Sequence, residues 1–209
     1  MGIHTYFRSL NDLERIIRTP GKFKFEEHCV SAHSWKVVQY AKTLADIEEQ
    51  HGVSIDWKKL YEITSSHDYG EIFIGDIKTP VKHYSLELRS MLLHVEEAMV
   101  EHFINENIPE EFKDIFRRQL REGKDDSVEG LILEVADKMD QVYEAFAELQ
   151  RGNTEKEFIV MYRYALIKIK NIDLHCVRYF LGNILPDMID EGIRSPFDIR
   201  KITEEALSQ

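Results

Sequence analysis

Two histidines and three carboxylates carry most of the chemistry legible in this chain. His33 shares a helical face with Val37, Tyr40 and Leu44, so it points toward the core. His67 continues the stripe of Leu60, Ile63 and Thr64, and is followed at once by Asp68 and three residues on by the helix-breaking Gly70. An inward histidine beside a carboxylate, at the C-terminal end of a buried helix, is costly unless it finds a partner. A lone one is ordinarily a core histidine bonded to a backbone carbonyl. Two of them with an adjacent carboxylate point to a divalent metal, because imidazole and carboxylate are standard ligands and a helix C-terminus favours a cation.

The sixteen residues from His67 to Lys82 hold three carboxylates (Asp68, Glu71, Asp76) and two lysines (Lys78, Lys82) around Gly70 and Gly75. Apolar anchors alternate with them: Ile72, Phe73, Ile74 and Val81. Such anchors pin a loop to the body and hold its carboxylates in place, which a catalytic loop requires. Asp137, between Ala136 and Lys138, is a further carboxylate. Periodicity argues against it, since the stripe of Val128, Ile132, Val135, Met139 and Phe146 runs along the opposite side of its helix. By pattern Asp137 faces solvent, or shares a minor face with Gly130 and Leu133. His94 and His102, with Glu97 between them, are a weak metal motif on an otherwise solvated helix. His4, His28, His51, His83 and His175 fit surface, turn or helix-end positions.

The elements that must position these residues are helices. Apolar spacing predicts helices over 5–18, 31–50, 56–70, 85–106, 109–121, 127–151, 154–170 and 173–192, with a terminal one from 196. Asp56 caps the third, and Asp126 with Glu129 reads as a capping box for the 127–151 helix. No run alternates as a half-buried strand does; Glu71–Ile74 comes nearest. The expected class is all-α. The five prolines and ten glycines sit near helix breaks, without repeats or a Gly/Ser linker, so residues 1–209 read as one domain with the helix from about 196 peripheral.

The chain carries 38 acidic and 27 basic side chains, a net charge of −11, and 43 % hydrophobic residues. That balance is of a soluble globular protein and disfavours nucleic acid polymers and anionic lipid. No apolar stretch is long enough for a membrane span, and the first residues lack a signal-peptide pattern. With two cysteines, Cys29 and Cys176, the expected compartment is a reducing cytoplasm.

Taken together, His33, His67-Asp68 and Asp137 resemble the His…His-Asp…Asp signature of HD-domain phosphohydrolases. The closer resemblance is to bacterial 5′-deoxynucleotidases of the YfbR type, over roughly residues 1–190. It is carried by Ile17-Arg18-Thr19-Pro20, Val30-Ser31-Ala32-His33-Ser34, the run from His67-Asp68 through Glu71 and Gly75-Asp76 to Thr79-Pro80-Val81-Lys82, and Glu134-Val135-Ala136-Asp137-Lys138. The resemblance implies a single compact HD-domain helical bundle, usually a homodimer, in which the helix of Asp137 is buried on both sides. It implies one divalent ion (Mn, Co, Mg, Ni and Zn are not distinguished) held by His33, His67, Asp68 and Asp137. The implied reaction removes phosphate from (deoxy)nucleoside 5′-monophosphates by metal-activated water attack. Glu71 would orient or deprotonate the water, Asp76 would assist the leaving oxygen or hold a sugar hydroxyl, and Arg18, with Lys82 second, would grip the phosphate. The chain departs from this branch at Thr19, where a tryptophan is expected to exclude a 2′-hydroxyl, and at Ala32, where a glutamate is common. The first change bears on selectivity for deoxynucleotides, the second on a contact behind the metal ligands that tunes the ion.

The net charge then bears on substrate size. A mononucleotide meets only the local field of Arg18, Lys82 and the ion, while acidic pairs such as Glu48-Glu49, Glu110-Glu111 and Glu204-Glu205 lie on outward faces. An HD phosphohydrolase acting on a phosphodiester or nucleoside triphosphate is the alternative, with His94 and His102 available to a second ion. A non-enzymatic helical module is disfavoured, because all four ligand positions and both loop carboxylates are present.

Overall fold

The computed structural model of the chain describes residues 2–77, 79–82, 84–121 and 125–209, so Lys78 and His83 lie outside the described residues, as do the side chains of Thr79 and Pro80. Contacts between Cα atoms group into two units. The first comprises Met1–Gly21, Glu27–Trp35 and Tyr61–Lys124; the second comprises Lys22–Glu26, Lys36–Leu60 and Asp125–Gln209. The described residues are helical, with no named strand.

In the first unit the helices are Ile3–Leu13 (α1), the start of Val30–Gln50 (α2), the end of Trp57–Ser66 (α3), Glu71–Ile74 (α4), Thr79–Lys82 (α5), Leu86–Asn107 (α6) and Lys113–Arg121 (α7). Helix α1 stops at Leu13, earlier than its spacing predicts. Ile17 instead forms an antiparallel bridge with Cys29, where Arg18 N–H donates to the His28 carbonyl and Val30 N–H to that of Ile16. Glu71–Ile74, the nearest thing to a strand in the sequence, is a helical turn. Ser85 caps α6 by accepting from Leu88 N–H.

An aromatic core holds this unit together. Tyr69, Val100, Phe103, Ile104, Ile108, Phe116 and Leu120 are buried, with Tyr6, Ile72 and Phe73 packed against them. The Tyr6 ring stands edge-on to Phe116 at 4.9 Å, and Phe73 lies 5.8 Å from Phe103. Each such ring contributes about 1.5–3 kcal/mol by burial, and the Tyr69 hydroxyl is satisfied by Ser9 Oγ at 2.7 Å. Three of these side chains come from the stretch after Asp68: Tyr69 from the turn and Ile72 and Phe73 from α4. The core therefore fixes that segment through two of the four expected anchors, Ile72 and Phe73; Ile74 is not among its members and Val81 is exposed.

The second unit contains the rest of α2, the start of α3, and helices Val128–Gln150 (α8), Lys156–Lys170 (α9), His175–Tyr179 (α10), Leu185–Glu191 (α11) and Ile199–Leu207 (α12). Helix α8 begins with Ser127, whose hydroxyl accepts from Gly130 N–H. The expected Asp126–Glu129 box does not form, because Glu129 accepts the Asp56 N–H at 2.8 Å instead. Helix α9 packs along α8, and α12 packs on α9, where Tyr162 OH meets Thr203 Oγ1 at 2.9 Å. A wide turn, Phe180–Ile184, precedes α11. Pro186 has no N–H to offer there, and Leu185 N–H reaches back to the Phe180 carbonyl.

Carboxylates are buried throughout this unit. Glu148 accepts from Phe25 N–H at 3.0 Å and Glu26 N–H at 3.1 Å, and Lys36 Nζ lies 3.0 Å from Asp140. Glu48, expected on an outward face, is buried and accepts the Cys176 N–H at 2.7 Å. A backbone N–H with no other partner is a good reason to bury a carboxylate.

Candidate metal and phosphate site

His33 sits in the first turn of α2, just after the Ile17–Cys29 bridge, and is fully buried. His67 and Asp68 follow the end of α3. His67 Nδ1 lies 3.0 Å from the Thr64 carbonyl. A carbonyl only accepts, so Nδ1 carries the proton and Nε2 presents its lone pair. That lone pair faces His33 Nε2 at 3.2 Å, and both nitrogens lie 3.3 Å from Asp68 Oδ2. These three residues offer ligand atoms all within 4.8 Å of one another. Although burial opposes its ionisation, the His67 and His33 rings hold the Asp68 carboxyl well below the usual carboxylate range. Two imidazole nitrogens and an anionic oxygen converging on one point need a proton or a cation among them. The donor set fits a divalent metal.

Around this cluster the same unit gathers the other residues that the sequence singled out. Arg18 is buried, with Nη1 3.6 Å from Asp68 Oδ2. Glu71, at 4 % exposed, has Oε1 3.4 Å from Lys82 Nζ, while its buried Oε2 has no hydrogen-bond partner among the described residues. Burial, then the nearby Asp68 charge, push the Glu71 carboxyl up to about 8. Burial works against the Lys82 ammonium, yet Glu71, Asp68 and Asp76 raise it above its ordinary value. Asp76 Oδ2 accepts the Thr19 backbone N–H at 2.8 Å.

Asp137 belongs to the second unit. It is 5 % exposed on α8, so the solvent-facing position that periodicity suggested is wrong. Its carboxylate receives Lys138 Nζ at 3.0 Å and Gln141 Nε2 at 3.5 Å. His94 and His102 are exposed on α6, and His102 pairs with Glu106. One neighbour was missed in the sequence: a side chain at Gly70 would meet the Glu96 carboxylate, so Glu96 lies against the turn between Asp68 and Glu71. Its helical face, shared with Val100 and Phe103, was the available signal.

Residues 5–188 match the family model of 5′-deoxynucleotidase YfbR-like proteins. The chain belongs to that YfbR-like family. It is thereby an enzyme, a nucleotide phosphohydrolase of the HD type. A 5′-deoxynucleotidase of Vibrio parahaemolyticus is 27 % identical over 182 residues, covering 87 % of this chain and 92 % of its own. The crystal structure of an HD-domain phosphohydrolase from Listeria innocua superposes with a TM-score of 0.94 at 48 % identity, covering 100 % of this chain and 99 % of its own. The cyanophage S-2L HD phosphohydrolase, solved with dA and one catalytic Zn²⁺, shares the fold at a TM-score of 0.62 and 14 % identity, over 87 % of this YfbR-like chain and 95 % of its own.

Proposed function

We propose that the chain hydrolyses nucleoside 5′-monophosphates, deoxynucleotides among them, to nucleoside and inorganic phosphate. The observation that carries this is the His33–His67–Asp68 triangle with the Arg18 guanidinium beside it. One divalent ion would be held by these three residues, with Asp137 as fourth ligand on the family pattern. Such an ion acidifies water and neutralises charge growing on phosphorus. Zn²⁺ in the cyanophage enzyme supports a first-row metal of this kind. Arg18 binds two phosphate oxygens through its planar fork, and Lys82 adds a second positive charge. Glu71, with a carboxyl titrating near the working pH, takes the proton from the attacking water as its oxygen bonds to phosphorus. The bond from phosphorus to the 5′-oxygen breaks, and that oxygen takes up the proton removed from water and leaves as a hydroxyl. Asp76 accepts the Thr19 N–H through Oδ2 and so ties the Arg18–Thr19 turn to the loop that carries Glu71. A threonine at position 19 leaves room for a 2′-hydroxyl, so ribonucleotides are accepted as well.

The two units act as one HD domain, a reading supported by the family model running from residue 5 to 188 through segments of both. The protein works in the cytoplasm, and no described helix is long and apolar enough to cross a membrane. It pairs with a second copy through α6. Leu88, Met91, Leu92, Val95 and Met99 form one stripe there, with Met91 at 59 % and Val95 at 47 % exposure. Leu86, at 86 % exposure, and Leu93, at 51 %, add to the apolar surface that the helix leaves in water. Exposed apolar patches of this kind are where interaction sites are commonly found.

A phosphate-release screen over ribo- and deoxynucleoside monophosphates, with Mn²⁺, Co²⁺, Mg²⁺, Ni²⁺ and Zn²⁺ supplied separately, tests the activity. Release with at least one metal and its loss in Asp68→Ala is the expected outcome. No release with any metal refutes the nucleotidase reading, and preference for a triphosphate or phosphodiester reassigns the substrate.

A further inference from the structure

Thr19 has a φ of 52°, and no other non-glycine residue described takes a positive value. A β-branched side chain is strained in the left-handed region, so something must hold it there. The Asp76 carboxylate supplies the hold: the Thr19 N–H donates to Asp76 Oδ2 at 2.8 Å. Arg18 comes immediately before. Its own N–H is fixed to the His28 carbonyl on the far side, at 2.9 Å, next to the Ile17–Cys29 bridge. The arginine is thus clamped from both directions along the chain. Its guanidinium emerges buried, 3.6 Å from Asp68.

We propose that Asp76 is a positioning residue for Arg18: by accepting the Thr19 N–H it keeps that residue in the left-handed turn which aims the guanidinium at the phosphate. This rests on the phosphohydrolase reading above and gives Asp76 a role that involves no contact with the reacting atoms. The turn is strained in the way sites often are, where the geometry serves binding at the expense of local conformation. Gly75, at φ 72°, ends α4 and brings Asp76 round to Thr19.

Steady-state kinetics with dAMP, and calorimetric titration of the metal-loaded protein with inorganic phosphate, test the role in parallel. Asp76→Ala should raise KM and the phosphate Kd by about tenfold or more, with a smaller change in kcat. Asp76→Asn keeps an amide oxygen that accepts the same N–H, and should stay within about threefold of wild type. Adding Thr19→Gly to Asp76→Ala should recover most of the loss, because glycine takes the left-handed turn unaided. In an Arg18→Ala background, Asp76→Ala should change little. Equal losses for Asn and Ala, no recovery with glycine, or an undiminished effect without Arg18 would overturn the proposal in favour of direct contact with substrate. If the wild type releases phosphate from no nucleotide, the nucleotidase reading falls while the phosphate titration still decides the role of Asp76. A crystal structure of Asp76→Ala with Thr19 still left-handed and Arg18 still beside Asp68 would refute it independently.

Discussion

Helices α6 and α8 are nearly equal in length, 22 and 23 residues, and both are rich in apolar side chains. Their fates differ. In α8, 15 residues are buried, five of them acidic: Glu129, Asp137, Asp140, Glu144 and Glu148. In α6 only Val100, Phe103 and Ile104 are buried, while Leu86, Met91, Leu93, Val95 and Met99 stand in water. Hydrophobicity therefore does not decide burial by itself. A helix is buried where other elements meet all its sides, and it can then carry carboxylates inward if backbone N–H groups or lysines receive them. In α6 an apolar stripe is left in water, and the proposed pairing rests on that stripe.

The sharpest way to break this contrast is to remove one carboxylate from each helix. Asp137→Ala on α8 is expected to lower phosphate release at least a hundredfold and to weaken metal binding, read by calorimetric titration. Glu97→Ala, on the exposed side of α6, should leave both unchanged. Comparable effects of the two would mean that burial on α8 has nothing to do with the site.

Next comes stability. Glu148→Ala leaves the N–H groups of Phe25 and Glu26 without their acceptor, and should cost about 3 kcal/mol in urea unfolding. A cost below about 1 kcal/mol would show that water replaces the carboxylate and that α8 is less enclosed than its burial implies. For α6 the matching change is Val95→Asp. It should convert a dimer to a monomer in sedimentation velocity; a wild type already monomeric at tens of micromolar would remove second-copy pairing altogether.

The smallest expected effect concerns a buried carboxylate with one oxygen, Glu71 Oε2, left without a hydrogen bond among the described residues. Glu71 titrates near 8 in the folded chain, well above its unfolded value near 4.5. Between those two pH values the folded state holds a proton that the unfolded state has lost, so stability falls as pH rises across the window. Glu71→Gln in metal-free protein should therefore raise Tm by a few degrees at pH 8 and hardly at pH 5. The same variant should lose activity at both. A Tm gain independent of pH would place the effect in packing rather than charge.

Much of this was legible in the residue order. His33 and His67 were drawn inward by their place on apolar stripes, and both are buried in the cluster. Helix limits followed wherever the signal was local: Asp56 accepts from Lys59 N–H at the start of α3, and Gly52, at φ 85°, closes α2. Misreadings came where a distant group competed. Ile16 and Ile17 continue a helical pattern, but the strand-like pairing around Cys29 and His28 takes their backbone. Glu129 looked like a cap and was claimed by Asp56. Glu48 looked solvated and was claimed by Cys176.

Local order in the chain was enough for the all-α class, the loop from His67 to Lys82, and the chemistry that two inward histidines and an aspartate can perform. Periodicities and caps depend on interactions within three or four residues, which any sequence displays. The burial of Asp137, the unshielded face of α6 and the left-handed turn at Thr19 depend on contacts with groups far away in the chain. Those contacts are settled by competition among many possible partners for each N–H and each apolar face, and only the folded structure reports the winner.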